Sequence, residues 1–303
     1  MNHKSKGKFM SQWQLQAMIW PSIILMILFA YIPMFGIIIV FQNYSPLDGF
    51  TGSEFVGFQN FQAFLGDKDF YNVLFNTLGI SLVKLLVGFP AEIILALLIN
   101  ELRVGMFKKF AQTISYLPHF LSWVILGGMV ISWLSAAGLV NNILMSLHIV
   151  SEPIEFLSNP NNYWGIATLS DIWKEVGWGT ILYLAAMSGI DPTLYEAAKV
   201  DGAGKIRRIW HITLPGISQI VVLMLVLRVS GVLGSNFEQG LVLQNSLNMP
   251  RSEVLDLFVY HLGLGNGDFS YAAAIGLFTS VVSVILLLLA NLATRKINKA
   301  SIF

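Results

Sequence analysis

The chain contains no cysteine, and that absence removes disulfide frameworks, thiolate metal sites and cysteine nucleophiles together. Charge is scarce as well: 12% of the 303 residues are Asp, Glu, Lys or Arg, where a soluble globular chain carries roughly 25%. The five histidines (His3, His119, His148, His211 and His261) are not at metal-ligand spacing from one another. No HExxH string and no Ser/His/Asp arrangement presents itself, so a membrane-embedded enzyme is a distant reading. The formal net charge of +1 supplies no field to steer nucleic acid, and none is expected as a partner.

What is abundant is apolar. Hydrophobic residues make up 55% of the chain and mean hydropathy is +0.67. That leaves too little polar surface for a water-soluble domain. The expected class is all-α and integral to the membrane, with the bilayer as solvent.

A membrane helix needs about 20 mostly apolar residues. Six segments meet this: 17–41, 73–99, 113–135, 163–188, 217–237 and 270–292. The first and last contain no charge, whereas the fourth and fifth are polar enough to need neighbours. The N-terminal apolar run is too long for a signal peptide and lacks a small-residue cleavage site. The division is therefore a cytoplasmic segment 1–16, a transmembrane domain 17–292 and a cytoplasmic tail 293–303. The 26 Gly and 10 Pro spread through apolar stretches point to kinked, closely packed helices.

Orientation follows the basic residues. The N-terminus, loops 100–112 and 189–216 and the C-terminus hold thirteen of the 18 Lys and Arg, including Lys4, Lys6, Lys8, Arg295, Lys296 and Lys299. The opposite loops hold Lys68 and Arg251 only. Both termini are expected to be cytoplasmic. Nine of the 17 acidic residues fall on the opposite side, as solvated loops or as a docking surface for an extracytoplasmic partner. Two loop stretches, Leu139, Val140, Ile143, Leu144, Leu147 and Val254, Leu257, Phe258, are expected to lie in the membrane interface.

Loop 189–216 reads GIDPTLYEAAKVDGAGKIRRIWHITLPG. Asp191-Pro192 is an N-cap followed by proline at the first helical position. A short helix from Thr193 to Val200 follows, which Gly202 breaks. Gly202-Ala203-Gly204-Lys205 is no phosphate-binding loop: a P-loop needs Gly and Ser/Thr where this chain has Lys199 and Ile206.

The strings Glu196-Ala197-Ala198, Asp201-Gly202-Ala203 and Ile212-Thr213-Leu214-Pro215 resemble the EAA loop of binding-protein-dependent ABC importer permeases. Tyr31-Ile32-Pro33, Asn76-Thr77-Leu78 and Tyr116-Leu117-Pro118 are similar to its carbohydrate-uptake branch. Phe35-Gly36, Phe237-Glu238-Gln239 and Tyr260-His261-Leu262-Gly263-Leu264 look most like permeases for complex oligosaccharides derived from polysaccharides. The resemblance implies a six-helix type I importer permease in a bacterial cytoplasmic membrane. It implies as partners a second homologous permease, two ATPase subunits and an extracytoplasmic sugar-binding protein. ATP and Mg belong to those ATPases, and no cofactor is bound by this chain. Glu196, Ala197, Ala198, Asp201, Gly202 and Ala203 are the expected coupling residues. The small side chains can enter a groove that bulky ones could not, and Gly202 lets the backbone approach and turn.

Charges inside spans usually face a bundle interior or water. Lys84 and Glu92 sit about 80° apart around their helix and are not an obvious pair. Asp171 can reach Lys174 at i+3. Sugar recognition wants planar hydrogen-bonding groups beside aromatic faces, so Trp173, Tyr183, Asn236 and Glu238 are the pathway candidates, with Asp171 and Lys174 behind them. The other reading is that such charges hold helices together, and Lys84, Glu92 and Arg228 are assigned to that role. His119 reads as a packing residue. A secondary transporter with Asp171, Lys174 and Glu238 as an ion relay is the alternative, but it gives no reason for the small-residue helix on the cytoplasmic loop.

Overall fold

The computed structural model describes residues 13–234 and 236–298, the last four by backbone alone. Ser235, His3, Lys299 and the basic residues Lys4, Lys6 and Lys8 lie outside the described residues, as does most of the expected 1–16 segment. Contacts divide the chain into two compact units. One comprises the residues up to Leu65 with Leu262–Leu277; the other comprises Gly66–His261 with Phe278 onward.

In the first unit, α1 (Trp13–Phe41) is α-helical at first, turns π over Ile27–Tyr31 and tightens to a 3-10 helix over Ile32–Phe41. The change of pitch falls at Pro33, which lacks an N–H and crowds the preceding turn. A short antiparallel hairpin follows, with β1 (Gln42–Asn43) paired to β2 (Glu54–Phe55). The Asn60 side-chain amide donates to the Val40 and Gln42 carbonyls. Ser270 Oγ accepts from the Tyr44 N–H at 2.9 Å.

The second unit is built on α2 (Lys68–Glu101), capped by Asp67, whose carboxylate accepts from the Asp69 N–H. Its 34 residues make it about 50 Å long. Around it come α3 (Met106–Tyr116), α4 (Trp123–Leu134), α5 (Leu139–Ser146) and α6 (Tyr163–Ser188). The expected span 113–135 is therefore two helices. Pro118 sits in a 3-10 turn over Leu117–Phe120, Leu121 is extended, and Ser122 caps α4.

The chain then forms α7 (Pro192–Val200), α8 (Ser218–Ser230), α9 (Phe237–Leu243) and α10 (Leu255–Tyr260). The expected fifth span 217–237 overruns α8: Gly231 ends that helix and the chain turns before α9 begins. The final helix, α11 (Phe269–Asn298), continues past residue 292 into the expected tail.

Among the described residues, four helical stretches are long and apolar enough to cross a membrane: Trp13–Phe41, Lys68–Glu101, Trp123–Ser146 and Phe269–Thr294. A fifth arises if Lys205–Gly216 and Ser218–Ser230, bent by 65°, are one broken span. At 26 residues α6 has the length, but Asp171, Lys174 and Glu175 make it too charged to qualify by apolarity.

One core cluster of the second unit joins Ile80, Leu126, Val130, Tyr163, Ala167, Leu243, Val254 and Leu257. Val254 and Leu257 thus depart from the expected interfacial placement. They are 2% and 0% exposed, because α10 folds back onto protein. In α5, by contrast, Leu139 and Ile143 are exposed, as is Leu147 just after it.

Helix packing uses the glycines. A Cβ on Gly177 of α6 would collide with the Ser115 backbone of α3. Gly177→Leu is therefore expected to destabilise the fold by about 2 kcal/mol or more, within or above the usual range for overpacking. Thermal unfolding of the detergent-solubilised protein should show a lowered midpoint.

Candidate functional site

Two regions gather the chemistry: the exposed loop between α6 and α8, and a set of charges buried among α2, α6 and the α8–α9 turn.

In the loop, Asp191 Oδ1 accepts from the Thr193 N–H at 2.9 Å, and Pro192 occupies the first helical position. The same N–H holds the Asp191 carboxyl below its ordinary pKa. The far end of α7 closes on Gly202, whose φ is +72°. Gly202 N–H donates to Lys199 O at 3.1 Å and Ala203 N–H to Ala198 O at 2.8 Å. This pair of bonds is the Schellman ending that favours glycine at the left-handed position. Both ends of α7 thus meet their hydrogen-bonding needs within the loop. Tyr195 Oη lies 2.9 Å from Thr213 Oγ1 and fastens α7 to the segment that leads into α8.

Glu196, Ala197, Asp201 and Gly202 are exposed, and Ala198 and Ala203 are half-buried. A Cβ on Gly202 would meet nothing within 4 Å. Beside them, Val200 is 88% exposed, and Leu194, Ile206 and Trp210 are exposed too. Sequence reasoning passed over these four, although apolar side chains on a charged loop were the available signal. An open hollow of about 800 Å³ is bordered by Gly202, Gly204, Lys205, Ile206 and Trp210.

The buried region centres on Lys84, at the midpoint of α2. Its Nζ donates to Asp171 Oδ1 at 3.0 Å, Asn236 Oδ1 at 2.8 Å and Gln239 Oε1 at 2.6 Å. An ammonium has three N–H groups, so Lys84 is saturated. The network continues behind it. Gln239 Nε2 donates to Ala167 O and Ser170 Oγ, Asn236 Nδ2 to Ser81 Oγ, and Ser81 Oγ to Val232 O. Gln239 was not among the expected residues. Arg228 pairs with Glu92, as a structural role for these charges anticipates.

Asp171 and Lys174 do not pair, contrary to their i+3 spacing. Asp171 is taken by Lys84, while Lys174 Nζ donates to His119 O at 2.7 Å and lies 3.2 Å from Glu175 Oε1. The physical reason is the break between α3 and α4: a carbonyl left free where the helix ends needs a donor. His119 itself lies with Nδ1 2.7 Å from Glu175 Oε2, and its ring stacks on Trp178 at 4.3 Å.

A cavity of about 340 Å³ opens beside this network, lined by Ser81, Lys84, Trp123, Asp171, Glu175 and Arg228 among others. Asp171 borders it directly. Lys174 stands behind Trp123, 5.9 Å from the ring centre, and Asn236 stands behind Lys84. The other pathway candidates lie elsewhere. Trp173 packs against Trp133 at 5.3 Å and lines an apolar pocket. Tyr183 is fully buried with Phe89, Ala96, Met187 and Ile217, and its hydroxyl has no hydrogen-bond partner among the described residues. Glu238 is exposed on the first turn of α9.

Long apolar helices, paired charges within them and a self-capped helix on a connecting loop define a multi-pass membrane transport subunit. The chain belongs to the family of binding-protein-dependent transport system inner membrane components, whose pattern matches residues 85–299. It is 43% identical to the polygalacturonan/rhamnogalacturonan transport system permease protein YteP of Bacillus subtilis (strain 168), over 98% of this chain and 92% of that one. It is also 43% identical to Protein LplB of the same organism, over 93% of this chain and 89% of the relative. A chain from the crystal structure of a bacterial alginate ABC transporter, in complex with an alginate pentasaccharide-bound periplasmic protein, superposes with a TM-score of 0.90. That match has 37% identity and covers 99% of this chain and 100% of that one. The fold is that of type I ABC permeases.

Lys84→Met is expected to destabilise the protein by about 3 kcal/mol, because it strands Asp171, Asn236 and Gln239 without their donor. Lys84→Met/Asp171→Leu should recover part of that loss. A double-mutant cycle on the unfolding midpoint measures the coupling.

Proposed function

We propose that this chain is a permease subunit of an ATP-driven importer that moves an oligosaccharide, delivered by an extracytoplasmic solute-binding protein, across a bacterial cytoplasmic membrane. The observation that carries the reading is α7, a helix capped at both ends within its own loop, with Leu194, Ala197 and Val200 exposed. The names of the relatives, a polygalacturonan/rhamnogalacturonan permease and an alginate transporter, support an oligosaccharide as cargo.

The chain works with a second homologous permease and two ATPase subunits. ATP and Mg act on those ATPases, and this chain hydrolyses nothing. Six spans cross the membrane: the five apolar stretches already described and α6, in which Asp171 is matched by Lys84 of α2 and Lys174 by the adjacent Glu175. Both termini face the cytoplasm, and loop 189–216 lies on that side. Residues 17–292 form the transmembrane domain.

Glu196, Ala197, Ala198, Asp201, Gly202 and Ala203 seat α7 in a groove of an ATPase subunit, with Leu194 and Val200 as apolar knobs. When ATP closes the ATPase pair, α7 moves with its socket. Tyr195 and the segment joined through Thr213 pass that motion to α8. Access then alternates between the binding protein and the cytoplasm. Asp171 borders the sugar's path, with Lys174 beside Trp123 and Asn236 bonded to Lys84 supporting it.

ATPase activity of the co-purified complex in proteoliposomes tests this reading. Stimulation is expected only with sugar-loaded binding protein. Gly202→Asp should keep the fold at a modest cost in backbone strain, since a Cβ there meets nothing within 4 Å and Asp tolerates positive φ better than most non-glycine residues. It should nevertheless abolish stimulation, because it places a charged side chain in the socket. Normal stimulation of that variant would sink the coupling role of α7.

A further inference from the structure

Two cationic stretches from distant parts of the chain meet where α2 ends. Residues 101–109 carry Arg103, Lys108 and Lys109, and residues 205–211 carry Lys205, Arg207 and Arg208. Lys205 Nζ lies 3.5 Å from Oε2 of Glu101, the last residue of α2, and this bridge brings the second stretch beside the first. Glu101 is the one carboxylate in either stretch. Among the described residues, Lys205 alone of the six cations has an ion-pair partner. The Nε of half-buried Arg208 has no hydrogen-bond partner among them.

The level of this cluster follows from the length of α2. At about 50 Å, that helix exceeds the roughly 40–45 Å of a bilayer with its headgroups, so its ends reach the headgroup layer. The Lys205–Gly216 stretch is bent 65° from α8. Beside a spanning α8 it therefore runs closer to the membrane plane than to the normal. Near the same end of α2, α3 begins and exposes Phe107, Phe110 and Ile114 at helical spacing on one face. On the second stretch Ile206 and Trp210 are exposed. With Lys205, Arg207 and His211 they border the hollow of about 800 Å³, whose lining among the described residues includes no carboxylate.

Cations beside exposed aromatic and aliphatic groups suit a ligand that is anionic at one end and apolar along the rest. A free phosphate leaves those apolar groups in water. An acidic surface on an ATPase subunit meets the cations but gives no reason for the apolar face of α3. An anionic phospholipid meets both: its phosphate accepts from Lys and Arg, and its acyl chains cover Phe107, Phe110 and Trp210. Clusters of about four to eight Lys and Arg at the cytoplasmic end of a span are the pattern expected for such lipids.

We propose that residues 101–110 and 205–210 form a docking surface for an anionic phospholipid of the cytoplasmic leaflet, which steadies the stretch joining α7 to α8. The choice of leaflet rests on the orientation proposed above; the class of lipid rests on charge and apolar surface alone.

The test uses the complete co-purified importer in phosphatidylcholine nanodiscs that carry a photoactivatable phosphatidylglycerol or, in parallel, a phosphatidylcholine with the same photoactivatable chain. Both leaflets are present, so the preference is read whichever way the chain points. Crosslinks with phosphatidylglycerol are expected to concentrate on peptides covering 101–116 and 205–216. Lys108→Gln/Lys109→Gln and, separately, Lys205→Gln/Arg207→Gln should each lower the yield ratio of the two probes there by about fivefold or more. Lys108→Arg/Lys109→Arg should keep it, and raising NaCl from about 0.05 to about 0.5 M should lower it in the wild type. Equal yields from the two probes in the wild type, or an unchanged ratio in both Gln variants, would overturn the proposal. So would variants that release the ATPase subunits while the ratio holds, which assigns the cations to a protein contact. Failure of the importer reading shows separately, as a wild-type complex that loaded binding protein does not stimulate although the lipid preference persists.

Discussion

A cation at the midpoint of a long apolar helix is the constraint on which the second unit depends. Lys84 cannot reach water from there by extending its side chain, so the protein must bring acceptors to it. It does so from three places: Asp171 on α6, Asn236 in the turn after α8, and Gln239 on α9. That convergence helps explain why α8 ends early. Had it run on as a regular helix, the turn that places Asn236 and α9 beneath the ammonium would be lost. One buried charge thus sets the register of several helices, a role in which such pairs specify geometry more than they add stability.

The same logic governs the other intramembrane charges. Glu92 is matched by Arg228, and Glu175 by Lys174 and His119, so each of these carboxylates has a local partner. Pairing of this kind lets a polar cavity persist within a bilayer and still present donors and acceptors. It also separates two kinds of residue that look alike in a list of charges. Lys84 is fully occupied, whereas Arg228 makes one side-chain pairing among the described residues, to Glu92.

The loop helix α7 follows the opposite principle. Its ends are capped from within, by Asp191 at the start and by Gly202 and Ala203 at the finish, so it holds its shape without being packed on both sides. That leaves Val200, Leu194, Ala197 and Glu196 exposed. A rigid element linked to the rest of the chain through Tyr195 and Thr213 can transmit a displacement that a flexible loop would absorb.

The membrane class, the helical content and nearly the whole of α7 were legible in the amino-acid order, because each rests on local physics. Hydropathy runs over one helix length, Asp-Pro starts a helix where it stands, and a glycine permits positive φ whatever surrounds it. Helix boundaries in the interior were less legible. Pro118 and Gly231 were visible, but whether they kink or end a helix depends on what the freed backbone groups meet. The charge pairing was decided only by the tertiary structure. Asp171 is three residues from Lys174 and 87 from Lys84, yet it bonds the distant one. Partner choice for a desolvated charge is set by which acceptors the folded helices bring within about 3 Å. Spacing along one helix cannot supply that information. Val254 and Leu257 carry the same lesson for apolar groups: an amphipathic stretch buries its face against whatever lies nearest, here protein and not lipid.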